Sequence, residues 1–280
     1  MKRIKEAVVI FFRSFGQIML QASGLTGLFF VLGITVASPT MAAGGALAVL
    51  AANLWAYKLK YPRDLLKKGF FGFSPALVGV AVVLFLQPAW YLPLVIVVGA
   101  VLAAAIQRFF AKIEVAVFTL PFVLVTWGIW WVAHTWWPEL MQGGGADPLV
   151  KELLYFPLLS YGQVIFQGSA LAGLLFLAGV GSSNLQTAIF GLAGGTLASV
   201  VALWVGADML AVGQGLWGFN AVLCAITFAG KRRMDFIWAG AAVALALFVG
   251  ALMQNFALPQ LTFPFVAGSV MTLALKERVG

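Results

Sequence analysis

The sequence predicts an all-α polytopic membrane protein with ten transmembrane helices, arranged as two inverted five-helix repeats. Three observations predict this fold class: the composition, the placement of basic residues, and an internal repeat. The 280 residues are 62% hydrophobic and 9% charged, with a mean hydropathy of +1.02. A soluble domain usually has about 25% charged residues. Because so few charges do not cover a water-facing surface, we expect the chain in a lipid bilayer.

The apolar stretches are long enough for a hydrocarbon core of roughly 30 Å, which needs about 20 residues per helix. The ten expected spans are 14–37, 40–57, 69–87, 90–107, 114–135, 158–181, 185–206, 213–230, 234–254 and 258–275. The first span leads into the second without a clear small-residue cleavage site, so a cleaved signal peptide is not expected. The predicted domains are a first repeat over 1–135, an external connecting loop over 136–157, and a second, inverted repeat over 158–280.

Basic residues give the expected orientation, because cytoplasmic loops attract Lys and Arg. With the N-terminus in the cytoplasm, 16 of the 17 basic residues fall in cytoplasmic segments, and only Lys151 falls outside. Both termini are therefore expected in the cytoplasm. The net charge of +8 indicates contact with anionic lipid headgroups rather than nucleic acid, because the basic residues are divided among short loops.

Three pairs of segments recur in the same order and indicate a duplication. The pairs are FGQIMLQASGLTGLFFVLG (15–33) with YGQVIFQGSALAGLLFLAG (161–179), GFFGFSPALVGV (69–80) with GLWGFNAVLCAI (215–226), and TLPF (119–122) with TFPF (262–265). The first two pairs are 146 residues apart and the third 143. Because each half holds an odd number of spans, the second half enters the membrane from the opposite side. Such inverted repeats bind substrates near the membrane midplane at the repeat interface.

Glutamines inside the first repeated segment are candidates for lining a path. Gln17 and Gln163 carry neutral amides, which suit a neutral polar solute or water. The alternative is hydrogen bonding between helices, a common use of Gln in membranes. Gln21 and Gln167 follow four residues later, so we expect them on nearly the same helix face. Three roles are open to them: orienting the first pair, bridging subunits, or forming a hydrogen bond between helices. For Gln167 the hydrogen bond between helices is the better explanation.

Threonines in the third pair are candidates for a constriction. Thr119 and Thr262 each precede a proline by two residues, Pro121 and Pro264. A proline inside a helix removes a donor and frees an upstream carbonyl. A hydroxyl beside freed carbonyls forms a short stack of oxygens that accepts hydrogen bonds from N–H groups. The alternative is a proline kink in which the Thr bonds back to its own helix.

Paired aromatics in the second pair are candidates for flat apolar walls. Phe73 and Phe219 begin the repeated GF motif, and Leu77 and Leu223 follow one helical turn later. Two such rings form a slot for a planar molecule, although for any single Phe among the 24 ordinary helix packing is the stronger explanation. The sequence has no paired carboxylates, no His/Cys metal set and no phosphate-binding loop. We therefore expect no cofactor and no enzyme activity.

Together these motifs resemble the urea transporter family, in order and over nearly the whole chain. The resemblance implies passive passage of urea through a pore within each protomer, re-entrant segments, a homotrimer, and a place in the bacterial inner membrane. The pore residues that it implies are Gln17, Ile18, Leu20, Phe73, Leu77, Thr119, Gln163, Val164, Phe166, Phe219, Leu223 and Thr262.

One departure from the family pattern separates the two halves. The first half has Ser74 and Pro75 where the second has Asn220 and Ala221, the more usual form. We therefore expect the two half-sites to differ in affinity. A channel for short amides, ammonia or water is the alternative within transport, although an ammonia channel is expected to need paired histidines and the chain has one. A non-transporting scaffold or sensor is a further alternative.

Overall fold

The structure, a computed structural model, describes residues 2–142, 154–254, 256 and 259–279. It divides into two units, Met1–Gly145 (unit 1) and Ala146–Gly280 (unit 2). The described residues form helices joined by turns, without a β-strand beyond one isolated bridge between Leu86 and Met141. The all-helical class is therefore confirmed. Residues 143–153 of the predicted connecting loop lie outside the described residues.

Each unit contains the same order of helices in its described residues. Unit 1 has α1 (Lys2–Gly16), α2 (Gly24–Ala37), α3 (Pro39–Lys58), α4 (Arg63–Lys67), α5 (Phe73–Phe85), α6 (Leu92–Lys112) and α7 (Leu120–Trp136). Unit 2 has α8 (Phe156–Gln163), α9 (Ala170–Ser183), α10 (Leu185–Trp204), α11 (Met209–Gly213), α12 (Phe219–Thr227), α13 (Arg233–Met253) and α14 (Phe263–Val279). The first residues of α2 to α5 precede those of α9 to α12 by 146 positions each, which is the offset of the sequence repeat.

Small residues allow the third and fifth helices of each unit to pack closely, α3 on α5 and α10 on α12. A Cβ on Gly79 of α5 would lie 2.3 Å from the carbonyl oxygen of Gly44 on α3. In unit 2, a Cβ on Gly194 would lie 2.5 Å from the Cβ of Ala225. Backbones approach closely where small residues meet, which is typical of helix packing in membranes.

Several helices have the length and composition of membrane spans. Within the described residues, α3, α6, α10 and α13 are long and apolar enough to cross a membrane, and α1 with α2 would make a fifth if the bent pair is one span. The prediction that 14–37 and 158–181 are continuous helices is wrong. In unit 1 the chain leaves the helix at Gly16 and resumes it at Gly24; in unit 2 it does so at Gln163 and Ala170.

Candidate functional site

A sharp break separates α1 from α2, and the first glutamine motif lies in it. After Gly16 the chain makes a 3-10 turn over Gln17–Met19, and Leu20 then adopts a left-handed backbone with φ 62°. The N–H of Gln21 reaches back to the carbonyl oxygen of Gly16 at 3.0 Å. This turn bends the two helices by 78° relative to each other.

Unit 2 repeats this break with the same backbone geometry. Phe166 has φ 58° at the position that corresponds to Leu20. The N–H of Gln167 donates to the carbonyl oxygen of Gly162 at 2.9 Å. Ser169 then caps α9 by accepting from the N–H of Ala172 at 3.4 Å. The repeated sequence therefore encodes a repeated interruption of the helix, which periodicity alone does not indicate.

The second glutamine of each motif bonds to the broken backbone beside it. Gln21 Nε2 donates to the Met19 carbonyl at 3.0 Å, and Gln167 Nε2 donates to the Ile165 carbonyl at 2.7 Å. Both side chains are buried. The expectation that these glutamines share a helix face with the first pair is wrong, because the helix ends between them. The bond of Gln167 that the structure shows lies within its own turn, and its expected bond to another helix stays a prediction.

Glycines in α2 and α9 explain why the chain can fold back so tightly. A Cβ on Gly27 would lie 1.7 Å from the carbonyl oxygen of Phe12, and one on Gly173 would lie 1.9 Å from that of Leu158. Only glycine fits at such distances. Each of these helices therefore crosses the one before it with the two backbones in direct contact.

The first glutamines of the two motifs have different surroundings. Gln163 Nε2 donates to the carbonyl oxygen of Gln214 at 3.1 Å, at the end of α11. Gln17 is half-buried like Gln163, but its side chain forms no hydrogen bond to the residues that the structure describes. One donor of the Gln163 amide is therefore already used by the protein itself.

The GF motif lies against the helix that carries the glutamine motif. A Cβ on Gly72 would lie 2.2 Å from Ser14 Oγ, and one on Gly218 would lie 2.1 Å from Ser160 Oγ. Each serine sits in the last part of α1 or α8 and donates back to its own helix. The 3-10 turn Gln17–Met19 packs on α5, and α8 packs on α12. The structure thus brings the first and second motifs together within each unit.

The aromatic and aliphatic candidates of the GF motif are buried. Phe73 is 4% exposed and Phe219 9%, while Leu77 and Leu223 are fully buried. Phe73 makes an edge contact with Phe70, with the ring centroids 5.8 Å apart. Of the slot-wall candidates in the breaks, Ile18 and Val164 are 1% exposed, whereas Leu20 and Phe166 are half-buried.

The third motif marks the beginning of the last helix of each unit. Thr119 immediately precedes α7 and Thr262 immediately precedes α14, and both are at most 2% exposed. Pro121 and Pro264 are each the second residue of their helix. The alternative of a proline kink is wrong, and so is the expectation that proline frees a carbonyl. In the first turn of a helix the missing N–H removes no hydrogen bond.

Asn220 fixes the backbone on both sides of Thr262. Its Nδ2 donates to the carbonyl oxygen of Leu261 at 3.2 Å, and its Oδ1 accepts from the N–H of Phe265 at 3.1 Å. Leu261 has a left-handed backbone with φ 47°. Asn220 itself is 6% exposed. A single buried amide therefore joins the beginning of α12 to the beginning of α14.

Unit 1 has a different arrangement at the corresponding position. Ser74 Oγ donates to Gln107 Oε1 on α6 at 3.3 Å, and Gln107 is 2% exposed. Phe118 still has a left-handed backbone with φ 46°, like Leu261 in unit 2. Pro75 lies in the first turn of α5, where it removes no helical hydrogen bond. Where unit 2 has a buried contact with its last helix, α14, unit 1 therefore has one with α6, the helix before its last.

Several buried polar residues were absent from the sequence-based candidates, among them Gln107 and Asn220. Gln107 is the last residue of the expected span 90–107, a position that suggests a side chain at the membrane surface. Asn220 is visible in the sequence only as a difference between repeats. The polar pattern also continues past each threonine: Thr126 and Ser269 follow seven residues later and are buried. Ser269 Oγ donates to Cys224 Sγ at 3.7 Å, while Thr126 Oγ1 has no hydrogen-bond partner among the described residues.

In each unit the structure places neutral polar side chains at interrupted helices, around the first turn of α5 or of α12. Among the described residues no group of three His, Cys, Asp or Glu side chains could hold a metal ion. Interrupted helices with polar groups at the breaks are typical of membrane transport proteins.

Comparison with known proteins identifies the family. The urea transporter family model matches residues 8–277, so the chain belongs to this family. It is 24% identical to urea transporter 1 of Ovis aries over 302 residues, which cover 95% of this chain and 76% of that protein. It is 25% identical to urea transporter 1 of Rattus norvegicus over 293 residues, covering 94% and 75%. Membership in a family of transporters confirms that the chain is not an enzyme.

Proposed function

We propose that the protein is a passive, channel-type transporter for urea. Family membership supports urea as the solute. The observation that carries the mechanism is the meeting of the three motifs around the start of α12 in unit 2, where α8 packs on α12 and Asn220 bonds on both sides of Thr262. Urea is small, planar and uncharged, with N–H donors at its edges and one carbonyl acceptor. Flat apolar walls and lines of oxygen atoms match those needs.

In this proposal the two units are inverted repeats that together enclose one pore in each protomer. Gln17 and Gln163 present amides near opposite mouths, and Phe73 and Phe219 form the flat walls behind them. The slot walls are completed by Ile18, Leu20, Leu77, Val164, Phe166 and Leu223. The threonines of the third motif form the central constriction. A pore with no fixed charge does not replace the hydration of an ion, so ions are excluded.

The proposed setting is the bacterial inner membrane, with ten spans, both termini in the cytoplasm and a homotrimeric assembly. The expected domain division is also retained, with the first repeat over 1–135, the external loop over 136–157 and the second repeat over 158–280. Distribution of the basic residues supports the orientation. The trimer and the re-entrant segments rest on the family resemblance.

Stopped-flow measurement of urea permeability in proteoliposomes tests the function. Permeability equal to that of empty liposomes would refute urea transport. Thiourea, acetamide and formamide as competitors separate urea from other amides, and osmotic shrinkage without urea separates water. Inhibition by acetamide as strong as by urea itself would favour the broader amide channel.

Thr119→Val and Thr262→Val test the constriction, because valine removes the hydroxyl at a similar shape. We expect each to slow urea flux while the protein stays folded and assembled. Thr196→Val is the matched control, since the Thr196 hydroxyl bonds back to Leu192 of its own helix at 2.7 Å. Unchanged flux in both test variants would remove the threonines from the pathway.

A further inference from the structure

Unit 2 has an apolar groove on its surface between α10 and α13. Its volume is about 540 Å³, and its walls include Leu185, Phe190, Leu197 and Phe236. The groove exists because α13 packs loosely on α10, whereas the corresponding helix α6 packs closely on α3. Leu185 and Phe236 are 69% and 60% exposed, so the groove opens to the surroundings of the protein.

Three consecutive basic residues lie at one end of this groove. Lys231, Arg232 and Arg233 immediately precede or begin α13, and all three are exposed. Gln186, which lines the groove, donates from Nε2 to the carbonyl oxygen of Gly230, the residue before Lys231. This contact ties the basic run to the groove at the end where α10 begins.

The positive charge of this run is only partly balanced. The nearest acidic group is that of Asp235, whose Oδ2 accepts from the backbone N–H of Arg232 at 2.9 Å. Within the described residues, none of the three basic side chains forms an ion pair. The ion pair that these residues do contain joins Lys67 to Glu6 at 3.3 Å. The run therefore keeps a net charge of about +2 at the groove end.

The length of the groove fits a lipid chain in one leaflet. From Leu185 to Leu197 it follows α10 for about 18 Å, at a rise of about 1.5 Å per residue. One leaflet is half of a hydrocarbon core of roughly 30 Å. Basic pockets between membrane helices are suited to anionic headgroups. We propose that this groove binds an acyl chain of an anionic phospholipid whose headgroup lies on Lys231, Arg232 and Arg233.

A second groove in unit 1 provides an internal comparison. It has a volume of about 650 Å³ and lies along α6 and α7, with Tyr91 and Trp137 in its wall. Like the lining of the first groove, its lining contains no Lys or Arg, and Arg108, which follows the lining residue Ile106 by two positions, is held by the Leu59 carbonyl and the Tyr61 ring. The second groove therefore offers a similar apolar surface without the headgroup site, and it should not distinguish anionic from zwitterionic lipids.

Native mass spectrometry of the purified full-length protein tests the proposal, with phosphatidylglycerol and phosphatidylcholine of the same acyl chains. Each basic residue near an anionic headgroup contributes about a fivefold preference. We expect the wild type to prefer phosphatidylglycerol by at least about tenfold on that basis. Neutralising all three positions in the K231Q/R232Q/R233Q variant should remove the preference. Neutralising K58Q/K60Q/R63Q, three exposed basic residues outside the groove, should retain it.

Substitutions that fill each groove distinguish the contribution of the apolar groove to lipid binding from that of the basic residues. Gly240 lines the first groove and Gly128 the second, and a Cβ at either position meets no atom within 4 Å. We expect Gly240→Leu to weaken binding of both lipids and Gly128→Leu to leave the phosphatidylglycerol preference unchanged. The proposal is overturned if the basic-run variant keeps the preference, if both charge variants lose it equally, or if Gly240→Leu changes only the oligomeric mass. The last result would assign the groove to a second copy of the chain.

Discussion

Replacing Asn220 by alanine removes the amide that joins the beginnings of α12 and α14. Two hydrogen bonds are lost, at 3.2 and 3.1 Å, from a side chain that is 6% exposed. A hydrogen bond between membrane helices is worth about 0.6 kcal/mol in double-mutant cycles and about 1–2 kcal/mol in model peptides. The expected loss of stability is therefore about 1–4 kcal/mol.

Ser74→Ala is the control at the corresponding position of unit 1. Ser74 makes one bond, to Gln107 at 3.3 Å, so its loss should cost about half as much as that of Asn220. Thermal unfolding of both variants in detergent, at one heating rate, compares the two costs. We expect a larger fall in the midpoint for Asn220→Ala. Because Asn220 bonds on both sides of Thr262, the proposed function also predicts a fall in urea flux.

Asn220→Asp is a stronger perturbation, because the side chain keeps its shape and an acceptor but, when ionised, loses the donor to Leu261 and places a negative charge in a buried site. It should unfold at a lower temperature than the wild type and transport urea more slowly. Equal unfolding midpoints for Asn220→Ala and Ser74→Ala would contradict the estimate of the two costs. Wild-type flux in Asn220→Asp would show that the bond to Leu261 does not position Thr262.

Two further perturbations follow from the helix breaks. Gly27→Ala places a Cβ 1.7 Å from the Phe12 carbonyl oxygen, so we expect loss of the monodisperse peak in size-exclusion chromatography. Gly128→Ala, where a Cβ meets open space, should elute like the wild type, and a normal peak for Gly27→Ala would refute the close crossing. Gln167→Leu removes the donor to the Ile165 carbonyl and should lower the unfolding midpoint, at a cost of about 1 kcal/mol. An unchanged midpoint would show that this bond adds no net stability.

The helical fold class was accessible from the sequence because it depends on composition, and the spacing of the repeated motifs agrees with the spacing of the helices. Apolar content predicts membrane helices whatever their packing, and the 146-residue offset of the motifs recurs in the starts of α2 to α5 and α9 to α12. The breaks were not accessible, because the segments 14–37 and 158–181 remain apolar through the interruption. Hydropathy measures the preference for lipid, and a broken helix and a continuous one can have the same value.

The role of each polar residue depends on its tertiary contacts. This is why the sequence located the polar motifs but did not predict the partners of their side chains. The contact of Ser74 with Gln107 joins positions 33 residues apart, and that of Asn220 with Phe265 joins positions 45 apart. No local pattern specifies which distant group an amide or hydroxyl meets. The predicted effect of the prolines was wrong for a related reason. A proline such as Pro121 can kink a helix or begin one, and the conformation of the backbone before it determines which of the two occurs.

The repeated glutamine motif combines two physical roles that the helix break separates. Interrupting a helix in a membrane leaves carbonyl groups that need donors, and each unsatisfied group costs several kcal/mol in hydrocarbon. Gln21 and Gln167 supply such donors within the turn, so part of the hydrogen bonding that the break requires comes from its own residues. The side chain of Gln17 forms no such bond to the residues that the structure describes. Substitution of Gln17 should therefore alter urea flux at unchanged stability, whereas substitution of Gln167 should lower stability first, and the reverse outcome would exchange the two roles.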